Sequence, residues 1–100
     1  MYLDDLRTPV EDYTVVVRNY QEAYIVVKLF GIPNFISFDY DLGFDIKGKA
    51  FKNGYDFAKW LVQQDIKKTH CFPDDFTFKV HSQNPEGSKK ITTLLESYCI

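Results

Sequence analysis

One hundred residues make a single domain, residues 1–100, able to bury roughly two-thirds of its unfolded surface, and the 17% aromatic content lets few side chains fill a small core. No apolar run approaches the roughly 20 residues of a membrane span, and strand-like sequence from Tyr2 argues against a signal peptide, so no membrane partner and a cytoplasmic location are expected. A net charge of −2 excludes a global attraction to nucleic acid, and Cys71 and Cys99 are too few and too far apart for a zinc motif or a disulfide framework.

Short apolar runs alternate with helical patterns. Met1 to Leu3 reads as a short strand and the β-branched run Thr14-Val15-Val16-Val17 as a buried one. Asn19 is a cap for a helix over 20–30, closed by Gly31 and Pro33. Phe35 to Phe38 is the next strand. The spacing of Tyr55, Ala58, Leu61 and Val62 predicts a helix over 55–68. The turn Pro73-Asp74-Asp75 leads into a strand over 76–80, and Ile91, Leu94 and Leu95 form the stripe of a last helix over 88–98. This order favours an α/β fold, a mainly parallel sheet of four to five strands with helices on its faces. One feature strains that pattern. Parallel neighbours need a crossover of a dozen or more residues, yet only residues 5–13 join the first two strands. Either the first helix is reduced or missing, or the second strand pairs differently.

Acidic residues stand where apolar runs stop. Asp4-Asp5 follow the first strand and Asp39-Tyr40-Asp41 the third, so Asp4, Asp5 and Asp39 meet at one sheet end if those strands are parallel neighbours. Crowded carboxylates ask for a cation, and hard oxygen donors suit Mg²⁺ or Mn²⁺. Residues two apart on an extended segment share a face, which puts Asp39 and Asp41 within reach of one metal. Asp also favours turns, and that reading stays open for Asp4-Asp5. Arg7 is suited to bidentate phosphate or carboxylate contacts. The segment from His81 through Ser82, Asn84 and Gly87 to Ser88 spans a strand-to-helix turn, a geometry that aims backbone N–H groups at an anion. His81 is a candidate general acid. Ser88 as helix cap, with Pro85 and Gly87 as turn formers, is the plainer account. Lys47, Lys49 and Lys52 follow the central acids in a loop that is either solvated or steers anions.

Four segments together resemble the cyclic-phosphate processing receiver-like family, a degenerate relative of response-regulator receivers. They are Leu3-Asp4-Asp5-Leu6-Arg7-Thr8-Pro9, Ile36-Ser37-Phe38-Asp39-Tyr40-Asp41-Leu42-Gly43, Gly54-Tyr55-Asp56-Phe57-Ala58-Lys59-Trp60-Leu61 and Val80-His81-Ser82-Gln83-Asn84-Pro85-Glu86-Gly87. The resemblance implies a three-layer flavodoxin-like fold, with Asp4, Asp5 and Asp39 at the pocket that binds a divalent metal in receivers. Asp39 falls at the phosphorylated position and His81 at or beside a hydroxyl-bearing one. Tyr40 replaces an expected His, and the sequence ends at Ile100 before a fifth strand and its Lys, which argues against conventional signalling. The implied activity is processing of cyclic phosphates, in RNA repair or nucleotide signalling. The resulting expectation is a metal-dependent phosphoesterase, with Asp39, Asp41 and His81 catalytic and Arg7, the turn before the last helix and the loop lysines holding a phosphate-bearing small molecule or RNA end. A non-catalytic nucleotide-binding or protein-interaction module is the alternative. An exposed last strand also invites pairing of two copies through the sheet edge.

Overall fold

A computed structural model describes residues 1–12 and 15–99. Seven elements follow one another: β1 (Tyr2–Leu3), β2 (Val16–Val17), α1 (Tyr20–Phe30), β3 (Phe35–Phe38), α2 (Gly54–Ile66), β4 (Thr77–Val80) and α3 (Pro85–Cys99). The strands form one parallel sheet in the order β2-β1-β3-β4. No helix among the described residues is long and apolar enough to cross a membrane.

The pleat assigns each strand residue to a face. Register aligns Leu3 with Val17 and Phe38, and Phe38 with Val80, so these four side chains share one side. That side carries the core: Leu3, Val17, Ile36 and Phe38 pack with Ala23 and Val27 of α1, Phe57, Ala58 and Leu61 of α2, and Ile91 and Leu95 of α3. All three helices therefore cover the same face. Full burial of each large side chain contributes about 1.5–3 kcal/mol. The expected stripes hold at Ala58, Leu61, Val62, Ile91 and Leu95, but Phe57 rather than Tyr55 anchors α2, its ring 6.2 Å from that of Phe38.

The short first crossover is resolved as a parallel pairing with no helix among its described residues. Asp4 begins like a helix cap, its Oδ1 accepting the backbone N–H groups of Leu6 and Arg7 at 2.9 and 2.8 Å. Pro9 then forbids continuation: its ring clashes with the preceding turn and disfavours helical backbone at Thr8. The segment instead runs over the face that the helices leave open, where Glu11 lies 3.6 Å from Lys79 Nζ and Arg7 reaches the His81 carbonyl. Residues 7–11 line a pocket on that face with Tyr2, Ser37, Lys79 and His81. Thr14, expected in the second strand, lies outside the described residues, and Val16 is more exposed than a buried strand implies.

Helix ends follow their caps. Asn19 caps α1 by accepting from Glu22 N, as expected. Asn53 and Asp56 form a reciprocal capping box, which starts α2 at Gly54, and the helix ends at Ile66, before Lys68 turns to positive φ. The last helix starts three residues before the expected Ser88. Its cap is Asn84, which accepts from Gly87 N at 3.0 Å, while Pro85 takes the first helical position where no N–H is needed. Gly87 is thus a helix residue, and the Tyr40 ring fills the space where its side chain would stand.

Gly54 ties α2 to the acidic loop. It donates to the Tyr40 carbonyl at 2.8 Å, and a Cβ there would lie 1.9 Å from the Asp39 carbonyl oxygen. Backbone cannot swing aside as a side-chain tip can. Gly54→Ala is expected to lower the unfolding free energy by about 3 kcal/mol in urea denaturation; a loss below about 1 kcal/mol would show that the helix and loop separate freely.

Candidate functional site

Because β1, β3 and β4 are parallel and in register, their next residues, Asp4, Asp39 and His81, emerge side by side at the carboxyl ends of the strands. Backbone bonds hold the positions: Asp4 N–H donates to the Val17 carbonyl, Asp39 N–H to that of Leu3, and His81 N–H to that of Phe38. This is the edge where ligands bind in open α/β sheets.

Asp4 is 1% exposed. Besides its two backbone donors at Oδ1, its Oδ2 accepts from Arg7 Nε at 2.8 Å and from His81 Nε2 at 3.0 Å. A carboxylate has about four acceptor positions, and here all are used. Burial pushes the Asp4 pKa up, but the Arg7 and Leu6 amides, His81 and the Arg7 charge outweigh it, so the carboxyl titrates below its ordinary value. Asp39 goes the other way. Burial and the neighbouring Asp4 charge raise its pKa, and the Ser82 hydroxyl, Arg7 and His81 only partly offset them.

Arg7 spans both acids. Its Nη2 lies 3.5 Å from Asp39 Oδ2 and its Nη1 donates to the His81 carbonyl at 3.3 Å, while the side chain stays 42% exposed. Arg18, just after β2, donates from Nη1 to the carbonyls of Arg7 and Asp4 at 2.6 and 3.2 Å and so fixes the loop. His81 is held on three sides: Nε2 by Asp4, Nδ1 at 2.7 Å from Ser37 Oγ, and its plane stacked 4.5 Å from the Tyr2 ring. A carboxylate only accepts, so the proton on this bond belongs to Nε2, and in the neutral ring Nδ1 accepts from Ser37.

Other expected site residues fall in different places. Asp5 contributes no atom to the cluster of Asp4, Asp39 and His81; its Oδ2 lies near Gly43. Asp41 does not share a face with Asp39, because the strand stops at Phe38 and the two-residue alternation stops with it; it is exposed, 3.4 Å from Asn84 Nδ2. Ser82 contacts Asp39. The turn before α3 satisfies much of itself: Asn84 N–H donates to Ser82 Oγ, Gly87 N–H to Asn84 Oδ1, and Ser88 N–H to the Asn84 carbonyl. The amides of Lys47 and Lys49 both donate to Asp45, and the Lys52 ammonium lies 4.8 Å from the centre of the Tyr20 ring. Sequence reasoning missed Ser37, Arg18 and Tyr2. Ser37 had a signal, a polar residue inside the apolar run Phe35 to Phe38, and Arg18 follows its strand much as Arg7 does.

The family model of the cyclic-phosphate processing receiver domain matches residues 1–97. The chain belongs to that family. No curated protein and no solved structure matches it. In this cyclic-phosphate processing receiver domain, the parallel sheet and three helices are those of a receiver-like fold.

The donor chemistry suits a divalent cation. Asp4, Asp39 and His81 each offer a ligand atom, all within 4.8 Å of one another, and Asp5 is not in this group. The raised Asp39 pKa marks an acid pair that Arg7 neutralises incompletely. Arg7 already lies on both carboxylates, so a cation entering between them must displace part of its contacts.

The two acids impose opposite pH dependences. Asp4 has a lowered folded pKa, so it stabilises the fold above the ordinary carboxylate range and loses that contribution as pH falls through its folded pKa. Asp39 has a raised one, so its ionisation costs stability as pH climbs past the unfolded value. At neutral pH, Asp4→Asn should destabilise the protein by about 2 kcal/mol, with the deficit shrinking as acid is added, whereas Asp39→Asn should stabilise it. Urea midpoints across the acid range read both signs, and a stabilised Asp4→Asn protein would refute the assignment.

Proposed function

We propose that this domain hydrolyses a cyclic phosphodiester, on an RNA end or a free nucleotide, in the pocket of Asp4, Arg7, Asp39, His81 and Ser82. The observation that carries the reading is a half-exposed guanidinium held beside two buried carboxylates and an imidazole. Arg7 presents a planar fork that matches phosphoryl oxygens. Ser82, already beside Asp39, adds a hydroxyl donor. Asp39 is the base: it lies inside the pocket beside Arg7 and Ser82 with fewer donors than Asp4, and it takes that role in place of the exposed Asp41.

In the reaction a water oxygen bonds to phosphorus while its proton passes to Asp39. The ring P–O bond breaks, and the departing oxygen takes a proton from His81 Nε2. That step uses the imidazolium form, whose Nδ1–H Ser37 Oγ accepts. The product is a phosphomonoester with a free hydroxyl. Mg²⁺ or Mn²⁺ on Asp4 and Asp39 would neutralise the acid pair and polarise the phosphoryl group. The need for added positive charge is electrostatic, because two buried carboxylates face one guanidinium before any anionic substrate arrives. In the resting pocket the Nε2 proton is donated to Asp4, which leaves that nitrogen no lone pair for a metal, and in the acid role the proton passes from that bond to the departing oxygen.

A second reading, a binding module without turnover, draws support from the same network. Asp4 has every acceptor position filled and both His81 nitrogens are engaged, so the pocket is internally satisfied. Turnover of RNA with a 2′,3′-cyclic phosphate end and of free cyclic nucleotides, with Mn²⁺ or Mg²⁺, separates the two. Asp39→Asn is expected to lose Mn²⁺ affinity in calorimetry and about a hundredfold or more in rate. His81→Ala should lose rate on that order while still binding Mn²⁺. Substrate binding by a folded wild-type protein with no product would establish the module instead.

A further inference from the structure

The carboxyl edge of the sheet also carries a cavity of about 320 Å³ lined by Asn19, Tyr20, Gln21, Phe51 and Lys52. We propose that it is a nucleobase subsite, so that the acidic pocket takes a nucleoside cyclic phosphate in preference to a base-free one. This inference rests on the phosphate-binding reading given above.

Its position follows from topology. Helices that follow parallel strands start at the carboxyl edge of the sheet, which places Asn19 and Tyr20 of α1 on the same rim as Asp4 and Asp39. The preceding residue, Arg18, reaches into the acidic pocket to the Asp4 carbonyl. On the other side, an atom built on Gly43 would stand 3.5 Å from Asp5 Oδ2 and 3.5 Å from the Phe51 ring. Phe51 and the residue after Asp4 therefore flank the same glycine. The Phe51 N–H donates to the Gly43 carbonyl at 3.0 Å and holds the aromatic residue there.

The lining matches a nucleoside better than a bare phosphate ester. Phe51 is 50% exposed, an aromatic surface that the fold leaves partly in water, and base stacking is a use for such a face. Tyr20 forms a wall of the cavity, its ring fixed by packing against Phe57. The Lys52 ammonium, over the Tyr20 ring, puts a cation at the cavity that can also meet the face of a bound base. Asn19 and Gln21 line the cavity with side-chain amides, groups able to pair with a base edge; Asn19 Oδ1 is already committed to Glu22 N. An ester without a base has nothing to place on these groups.

The test is calorimetry with Mn²⁺ present, comparing adenosine 2′,3′-cyclic phosphate with glycerol 1,2-cyclic phosphate. The nucleotide should bind about tenfold or more tightly than the glycerol ester. Phe51→Ala should erase that preference and leave the glycerol affinity unchanged, and Lys52→Gln should weaken the nucleotide selectively. Circular dichroism confirms that the variants fold. A short RNA with a cyclic phosphate end binding more tightly than the mononucleotide would assign the subsite to RNA ends, and equal affinity to free nucleotides; either supports it. Equal wild-type affinities for the nucleotide and the glycerol ester would overturn the subsite and leave the hydrolytic reading standing. No binding of either compound would overturn both.

Discussion

Two carboxylates forced together at the end of a parallel sheet set the terms for everything around them. Register places Asp4 and Asp39 on adjacent strands, and burial denies both the water that would screen them. The fold answers with donors, but unequally. Asp4 receives two amides, a guanidinium nitrogen and an imidazole, whereas Asp39 has Ser82 and a longer contact to Arg7. The opposite directions of their pKa shifts record that imbalance. One acid is a structural anchor, and the other carries unspent negative charge. Removing a partner from such a buried network costs more than its individual bonds suggest, because the remaining charge is left without compensation.

The missing helix is part of the same arrangement. Asp4 has the hydrogen bonds of a cap with no helix behind it, since Pro9 stops the turn from propagating. A continuous helix would carry Arg7 along a fixed cylinder. The loop instead lets it fold back across the sheet end, and Arg18 clamps the loop carbonyls that make the bend. The same loop covers the sheet face opposite the helices. A proline that looks like a defect in a crossover thus delivers the cation on which the acid pair depends.

How much of this could be read from the chain depended on whether the signal was local. The first helix was legible to the residue, because Asn19 and the Gly31 and Pro33 stop are short-range chemistry. The last helix starts earlier than its sequence suggests because Pro85 and Gly87 read as turn residues, whereas Asn84, a candidate phosphate contact, is also its cap. The convergence of Asp4 and Asp39 was legible once parallel neighbours were assumed. Asp41 was not, since the two-residue alternation holds only while the strand lasts. The partners of His81 were out of reach: Ser37 lies 44 residues away and meets it only through the register of β3 with β4.

The distances within the network also rank which contacts a ligand can exchange. Arg7 Nε sits 2.8 Å from Asp4 in a charge-assisted bond, while its two terminal nitrogens lie 3.3 and 3.5 Å from the His81 carbonyl and Asp39. Hydrogen bonds weaken as they lengthen, and the short one is also the more buried. The guanidinium is therefore anchored at its inner nitrogen and loosely held at its outer pair. A phosphate can take the outer pair without disturbing the bond to Asp4, and doing so withdraws the Arg7 charge from Asp39. Under the proposed reaction that carboxylate would then be less compensated, and a better proton acceptor, once the anion is bound. In the proposed reaction, substrate capture by Arg7 and activation of Asp39 would then be two consequences of one displacement.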